Sequence, residues 1–215
     1  MKIGIIGSGI VGRTLGNAFI QEGYEVMLGS RNPLKDEVVK WKSENPKGAT
    51  GNFEETAAFA DIIVLAVSGL VATNAIQIAG PANFYGKVVI DTTNPISKDP
   101  PADAVLNFFT DLNESLMEKM QKKIPQAKFV KAFNIVGSGL MYKPDFAGIK
   151  PTMFICGNDG DAKKIVTDIL ELFGWETEDM GVTAAARAIE PLAILWCIPG
   201  FISNGWQHAF KLLKK

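Results

Sequence analysis

The sequence has few of the residues that build metal sites and disulfide frameworks. Its 215 residues include two cysteines, Cys156 and Cys197, and a single histidine, His208. The cysteines do not form a CxxC pair, and one histidine adds too few ligands for zinc, so we predict no metal site. A chain with so few thiols is typical of a reducing compartment, and we expect a cytoplasmic protein.

An excess of charge of one sign is also missing. Lysine and arginine number 22 against 23 aspartates and glutamates, which gives a formal net charge of −1. That balance offers no electrostatic basis for binding nucleic acid or an anionic membrane. Long apolar runs are missing too, since PLAILWCIPGFIS near the C terminus is about a dozen residues and a bilayer span needs roughly 20. We therefore expect neither nucleic acid nor a membrane as a partner.

Strand-like and helix-like segments alternate along the chain. The short apolar runs KIGIIG, EVMLG, DIIVLAV and KVVIDTT are separated by segments of helical length and spacing. DIIVLAV is apolar after its first residue, as expected of a parallel strand that is covered on both faces. The alternation predicts an α/β fold with a doubly wound, mostly parallel Rossmann sheet, continued by strands in KFVKAFN, PTMFICG and GWETEDMG.

The C-terminal part of the sequence differs from this alternating part. We predict one domain over residues 1–182 and an apolar, helical C-terminal extension over residues 183–215 that packs on it. The helix of the extension is expected to be interrupted at Pro199-Gly200, because proline lacks the backbone amide and glycine weakens helices.

A glycine-rich loop follows the first predicted strand. Gly7, Gly9 and Gly12 in GSGIVG match the GxGxxG pattern and stand directly between a strand and a helix. In that context the first glycine permits a tight turn, the second lets the backbone approach a pyrophosphate, and the third lets helix and strand pack closely. The helix amides then face the phosphates. We predict a dinucleotide site at Gly7, Ser8, Gly9, Ile10, Val11 and Gly12.

The end of the second predicted strand indicates which dinucleotide is bound. An NAD site places an acidic residue there to hold the ribose 2′-hydroxyl, but this sequence has Ser30, Arg31 and Asn32 instead. A guanidinium can bond a 2′-phosphate and stack on adenine, while the hydroxyl and the amide donate further hydrogen bonds. The three residues therefore favour NADP over NAD as the cofactor.

Several motifs beyond the glycine loop resemble a known family. IGIIGSGIVGRTLG, LGSRNP, DIIVLAV, VVIDTTNP, VKAFN and ICGNDGDAKK occur in this order and cover most of the chain to about residue 200. In these motifs the sequence resembles the NADPH-dependent coenzyme F420 (deazaflavin) reductases. It is also similar to the soluble oxidoreductase domain of the STEAP metalloreductases.

The resemblance implies that NADP lies across the carboxyl ends of the strands, with its nicotinamide near the ends of the fourth to sixth strands. Ligands of doubly wound sheets sit outside these strand ends, which agrees with this placement. Turn formation is the alternative interpretation of the threonine and the asparagines among them. The implied lining consists of Ala66, Val67, Ser68, Thr92, Asn94, Pro95, Ala132 and Asn134.

No catalytic acid or base is predicted. The sequence has no GxSxG, HExxH or paired carboxylates, and His208 is interpreted as a packing or surface residue near the end of the last helix. Hydride transfer between two rings needs no proton donor from the protein, so we predict an NADP-dependent oxidoreductase that passes a hydride between NADPH and a flavin or coenzyme F420. Lys131 and Tyr142 are candidate proton donors for an alternative function, the reduction of a small imine or carbonyl compound. An NADPH-binding redox sensor is the non-enzymatic alternative.

The apolar residues of the C-terminal extension allow two interpretations. They either form a packing helix and the interface of a homodimer, or supply an apolar floor for the second ring. In a homodimer both can hold, because the segment of one protomer can cover the cleft of its partner. The residues concerned are Leu192, Ile194, Leu195, Trp196, Ile198, Phe201 and Trp206.

Overall fold

Six parallel strands form the central sheet of the computed structural model, which describes all 215 residues. The strands are β1 (Lys2–Ile6), β2 (Glu25–Gly29), β3 (Ala49–Gly51), β4 (Ile62–Leu65), β5 (Val88–Asp91) and β6 (Lys128–Lys131). Their spatial order is β3-β2-β1-β4-β5-β6, the doubly wound order in which a dinucleotide crosses the sheet where the strand order reverses. The predicted fold class is confirmed.

Helices cover the sheet, and two of them begin at a reciprocal capping box. Asn52 caps the helix Phe53–Phe59 by accepting from the Glu55 amide, and Ser115 caps the helix Leu116–Lys123 by accepting from the Glu118 amide, each within a reciprocal capping box. Every residue of β4 is buried, as predicted for a strand covered on both faces. The helices are α1 (Ile10–Gln21), α2 (Asp36–Glu44), α3 (Phe53–Phe59), α4 (Gly69–Ile78), α5 (Leu116–Lys123), α6 (Gly160–Leu172), α7 (Ala186–Ile189) and α8 (Leu192–Ser203).

The last two predicted strands exist but do not extend the central sheet. β7 (Thr152–Ile155) and β8 (Glu176–Asp179) pair with each other in parallel and are connected by α6. One antiparallel bridge, between Lys131 and Cys156, joins this pair to β6. The segment 152–179 thus forms a βαβ unit of its own beside the end of the main sheet, and the prediction of a single continuous sheet is wrong here.

Two details of the C-terminal prediction are also wrong. α8 runs through Pro199 without interruption to Ser203, and the next residue, Asn204, adopts a left-handed conformation and donates its amide to the Gly200 carbonyl. His208 therefore lies beyond the last helix, in a non-helical tail that folds back on α8. There the His208 ring stacks on Trp196 with centroids 5.0 Å apart, and Trp196 Nε1 donates to the His208 carbonyl at 2.8 Å.

The helical run Thr183–Ser203 is longer than the apolar stretch in the sequence suggested. It has 21 residues, and an 18-residue window within it has a mean hydropathy of 1.4, so by length and composition alone it is able to cross a membrane. Core helices of soluble proteins pass the same test, and a third of this run is buried. Its first half is fixed to the sheet domain by ion pairs of Arg187 with Glu118 and of Glu190 with Lys131.

Candidate cofactor-binding site

The glycine loop after β1 combines close packing with one open position. A Cβ atom on Gly12 would lie 1.9 Å from the Gly7 carbonyl oxygen, so this position needs glycine for the fold. A Cβ atom on Gly9 would meet no atom within 4 Å, because the space in front of this residue is open. α1 begins here with no side-chain cap and no acidic residue in its first turn, which leaves its amides available to an anion.

Hydrogen bonds join this loop to the end of β2. The hydroxyl oxygens of Ser8 and Ser30 lie 3.2 Å apart, and Ser30 Oγ donates to the Asn32 carbonyl at 3.0 Å. Arg13 Nη1 donates to the Ser8 carbonyl at 2.6 Å and holds the loop from the other side. Sequence reasoning did not single out Arg13, although its place in the first turn of α1 put it next to the loop.

Two cations follow β2, and they differ in what they contact. The Arg31 side chain is exposed and makes no ion pair or hydrogen bond within the chain. Lys35 Nζ lies 3.2 Å from Glu37 Oε1. The Asn32 side chain accepts the Leu34 amide through Oδ1 at 3.0 Å, so only its amide nitrogen is free to donate to a ligand.

An open cavity of about 540 Å³ connects the glycine loop to these cations. Its volume falls within the range of small-molecule and cofactor sites. Nine of the residues predicted from the sequence line it: Gly7, Ser8, Gly9, Ser30, Arg31, Asn32, Ala66, Val67 and Ser68. Seven further residues were not predicted: Lys35, Glu37, Phe53, Val71, Asn74, Ala75 and Ile78.

The apolar side of this cavity follows from a helical spacing that is visible in the sequence. Val71, Ala75 and Ile78 on α4 follow the spacing i, i+4, i+7, which puts them on one face of the helix. Since α4 begins directly after the end of β4, that face borders the edge where a dinucleotide lies. Of the predicted loop residues, Ile10 is exposed and Val11 half-buried in the first turn of α1, and like the buried Gly12 they do not line the cavity.

Of the residues predicted around the nicotinamide, Ala66, Val67 and Ser68 line this cavity, whereas Thr92, Asn94, Pro95, Ala132 and Asn134 lie outside it. Asn94 Nδ2 donates to the Asn134 carbonyl at 2.7 Å, and Asn134 Nδ2 donates to Asn94 Oδ1 at 3.0 Å. Thr92 Oγ1 donates to the Leu65 carbonyl at 3.0 Å. These bonds are between residues far apart in the sequence, so they join the ends of β4, β5 and β6 across the sheet and do not close local turns.

Two more of these predicted residues are covered by the chain itself. Ala132 is fully buried, and Pro95 is buried beside the Asn94–Asn134 pair. The Asn134 oxygen Oδ1 is buried and has no donor from the protein. It is the one side-chain polar atom of this pair that has no hydrogen-bond partner. This is unusual, because buried acceptors normally have one.

A buried ion-pair cluster lies directly beneath these strand ends. Lys131 Nζ is 2.6 Å from Asp91 Oδ2 and 2.9 Å from Glu190 Oε1, and it donates to the Thr93 carbonyl at 2.8 Å. Burial lowers the pKa of Lys131, but the two carboxylates outweigh burial and leave its pKa above the ordinary value. Lys131 is therefore a permanent cation without access to a substrate. Sequence reasoning missed Asp91 and Glu190.

The other weak candidate for a proton donor is also engaged. Tyr142 donates its hydroxyl to Glu22 Oε1 at 2.6 Å and does not line the cavity. The only histidine stacks on Trp196 in the C-terminal tail, as described above. The cavity itself is lined by no histidine, tyrosine or cysteine.

A smaller cavity of about 150 Å³ lies between the segment 108–115 and the segment 187–194, which runs from α7 into the start of α8. Glu190 forms part of its wall, so it adjoins the ion-pair cluster. Of the apolar residues predicted to form a floor for a second ring, only Ile194 lines it. Trp196 packs between the His208 ring and Trp206, whose centroid is 5.7 Å away, so Trp196 has a packing role.

Comparisons with known proteins identify the family of this chain. Residues 2–95 match the family described as NADP oxidoreductase, coenzyme F420-dependent. A protein of Arthrobacter sp. FB24, provisionally named an F420-dependent NADP-reductase, is 31% identical, and its crystal structure superposes with a TM-score of 0.92 over 100% of both chains. An imine reductase of Myxococcus stipitatus in complex with NADP+ has a TM-score of 0.67 at 16% identity, covering 95% of this chain and 63% of that one, a likeness of fold alone.

The metalloreductase STEAP3 of Rattus norvegicus is 28% identical over 209 residues, which are 95% of this chain. STEAP2 of Homo sapiens is 27% identical over 207 residues. The chain spans 39% and 36% of the length of these two relatives. The resemblance found in the motifs is thus confirmed at the level of the whole chain: it belongs to the coenzyme F420-dependent NADP oxidoreductase family and is an NADP-dependent oxidoreductase.

Proposed function

We propose that this enzyme transfers a hydride between NADPH and a flavin- or deazaflavin-type ring such as coenzyme F420. The observation that carries the proposal is the open cavity that Gly7, Ser8 and Gly9 of the glycine loop line together with Ser30 and the unpaired Arg31 guanidinium. This arrangement suits a dinucleotide with a 2′-phosphate, and NADPH supplies the hydride when bound.

Each part of the cavity suits one part of NADPH. The open space before Gly9 and the uncapped α1 amides would hold the pyrophosphate. Arg31 and Lys35, with the Ser30 hydroxyl, would hold the 2′-phosphate through charge-assisted hydrogen bonds. The apolar face of α4 would cover the adenine.

The strand ends supply orientation and no proton transfer. The Asn94–Asn134 pair fixes the ends of β5 and β6, and the unpartnered Asn134 Oδ1 is an acceptor of the kind that a nicotinamide carboxamide requires. Lys131 holds its proton within a buried ion-pair cluster. A transfer between two rings held roughly 3–3.5 Å apart needs this positioning and no acid or base from the protein, because the reduced acceptor ring takes its proton from water.

One observation favours a second candidate function, the reduction of a small imine or carbonyl compound. The cavity next to Glu190 has a volume of about 150 Å³, which is small for a three-ring acceptor, and its wall includes Thr110 and Ser115.

The experiment that separates the two candidate functions follows NADPH absorbance with purified enzyme. Oxidation of NADPH only when F420 or a flavin is present supports ring-to-ring transfer, whereas turnover with small imines or carbonyls contradicts it. Binding of NADPH without turnover on any acceptor indicates a redox sensor.

The cofactor assignment has its own test, the substitution Arg31→Ala. We expect NADPH to bind about ten- to a hundredfold more weakly, because a charge-assisted hydrogen bond contributes about 1.5–3 kcal/mol, while NADH affinity stays nearly constant. Binding is measured by titration with both nucleotides. Lys40→Ala on the outer part of α2 serves as the control for loss of a positive charge, and an equal loss for NADPH and NADH would contradict the assignment.

We also propose that the enzyme is a cytoplasmic homodimer. Both cysteines are free thiols, which suits a reducing compartment. Leu195, Phe201 and Ile202 on α8 are 55%, 42% and 71% exposed, an apolar surface that a second copy would cover. Light scattering should give twice the mass of one chain, and Ile202→Glu should reduce it to a single chain.

A further inference from the structure

The cavity contains one carboxylate among the groups assigned to the 2′-phosphate. Glu37, in the first turn of α2, lines the cavity together with Arg31 and Lys35. Its Oε1 lies 3.2 Å from Lys35 Nζ, and the two side chains are 46% and 49% exposed. Asp36, the other acidic residue in this turn, does not line the cavity.

This placement puts Glu37 in competition with a phosphate. Without a cofactor, Lys35 pairs with Glu37, so a 2′-phosphate must take the ammonium from an existing partner. The carboxylate also repels a nearby phosphate, since two like charges raise each other's energy in a partly exposed site. Arg31 has no such partner and remains available. NADH, which lacks the phosphate, meets neither effect.

We propose that Glu37 is a specificity-determining residue that limits the preference for NADPH over NADH by holding Lys35 and repelling the 2′-phosphate. The inference rests on the proposed placement of the 2′-phosphate at Arg31 and Lys35. Glu37 thereby keeps the selectivity between the two nucleotides moderate.

The substitution Glu37→Gln tests this inference by titration with NADPH and NADH. NADPH should bind about two- to fivefold more tightly, the size expected for a partly exposed ion pair, and NADH affinity should stay the same. The gain should shrink as salt concentration rises. In a Lys35→Met background, Glu37→Gln should give a clearly smaller gain, because the ammonium that it releases is missing.

A matched control exists on the same helix. Lys40 and Glu44 form an ion pair at 3.8 Å outside the cavity, so Glu44→Gln removes the same charge and should leave both affinities unchanged. If Glu37→Gln leaves NADPH affinity unchanged or weakens it, or shifts NADH affinity equally, the inference is overturned. If Arg31→Ala fails to weaken NADPH selectively, the placement of the 2′-phosphate itself fails, which is a separate result.

Discussion

Gly9 and Gly12 belong to one loop but have opposite surroundings. Gly9 faces open space, whereas the α-hydrogen of Gly12 points at the Gly7 carbonyl so closely that no side chain fits. One glycine therefore serves the ligand and the other serves the fold.

Substitution of each glycine by alanine should separate these roles. We expect Gly9→Ala to keep the melting temperature of the parent enzyme and to weaken NADPH at least tenfold, because its methyl group occupies space assigned to the pyrophosphate. Gly12→Ala should lower the melting temperature, because its Cβ would lie 1.9 Å from a backbone oxygen. Thermal unfolding and NADPH titration of both variants check this, and a stable Gly9→Ala variant with normal affinity would contradict the site.

The site residues that could be predicted from the sequence are those that stand at a fixed distance from a motif. Ser30 and Arg31 follow the glycine loop at the distance that a strand–helix–strand unit sets, so the sequence was sufficient to find them. Lys35 and Glu37 were missed because the course of the chain after Asn32 depends on side-chain hydrogen bonds, such as that from the Leu34 amide to Asn32 Oδ1. The roles of Asn94 and Asn134 remain predictions.

At the scale of elements, the Lys131 cluster fastens α7 and α8 to the sheet. Glu190 accepts from the Leu116 and Met117 amides at 2.9 and 3.0 Å in addition to pairing with Lys131. One carboxylate thus joins β6, the start of α5 and the start of α8.

The substitution Lys131→Met should therefore be strongly destabilising. It leaves Asp91 and Glu190 as buried carboxylates without a cation, which costs on the order of 3–5 kcal/mol of unfolding free energy. Urea unfolding measures the loss. Lys128→Met, on the same strand but in a partly exposed ion pair with Asp159, is the control and should cost much less. Equal losses for the two variants would contradict a special role of the buried cluster.

A second ion pair, between α5 and α7, makes the free energy of unfolding fall as the pH becomes acidic. Arg187 on α7 donates Nε and Nη2 to Glu118 on α5, which lowers the pKa of Glu118 from 4.5 to about 2. Because the folded pKa is below the unfolded one, this contribution to stability is complete above pH 4.5 and is lost as the pH falls towards 2.

We expect Arg187→Gln to raise the midpoint pH of acid unfolding, since Glu118 then protonates at a higher pH. Circular dichroism recorded from pH 7 to pH 2 measures the midpoint. The gap in stability between the parent and the variant should narrow below pH 4.5, and a gap that stays constant down to pH 2 would show that the pair does not act through this carboxylate.

The position of β7 and β8 shows where pattern reading reaches its limit. Their apolar and alternating residues predicted strands correctly, yet no local pattern states which strand each will pair with. α8 shows a related limit: Pro199 is tolerated near the end of a helix whose packing is supplied by Trp196 and the tail. Tertiary contacts decided both outcomes.

For the whole molecule, cofactor binding should appear as added thermal stability. A ligand at a hundred times its dissociation constant stabilises the folded state by about 2.7 kcal/mol, which for a chain of this size raises the melting temperature by about 5–10 °C. NADPH should give this shift, and NADH at the same concentration should give a smaller one. Differential scanning fluorimetry measures both, and equal shifts would contradict selectivity for the 2′-phosphate.

The non-helical tail after Asn204 covers part of one edge of the small β7–β8 sheet. The tail lies along β7, where the Thr152 amide donates to the Phe210 carbonyl at 2.8 Å, while Lys211 pairs with Glu176 on β8. Unpaired strand edges invite strand addition and aggregation, and proteins guard them with covering segments and charged side chains. Phe210 thus occupies the backbone amide at the start of β7, and a strand of another molecule cannot pair with it while the tail is in place.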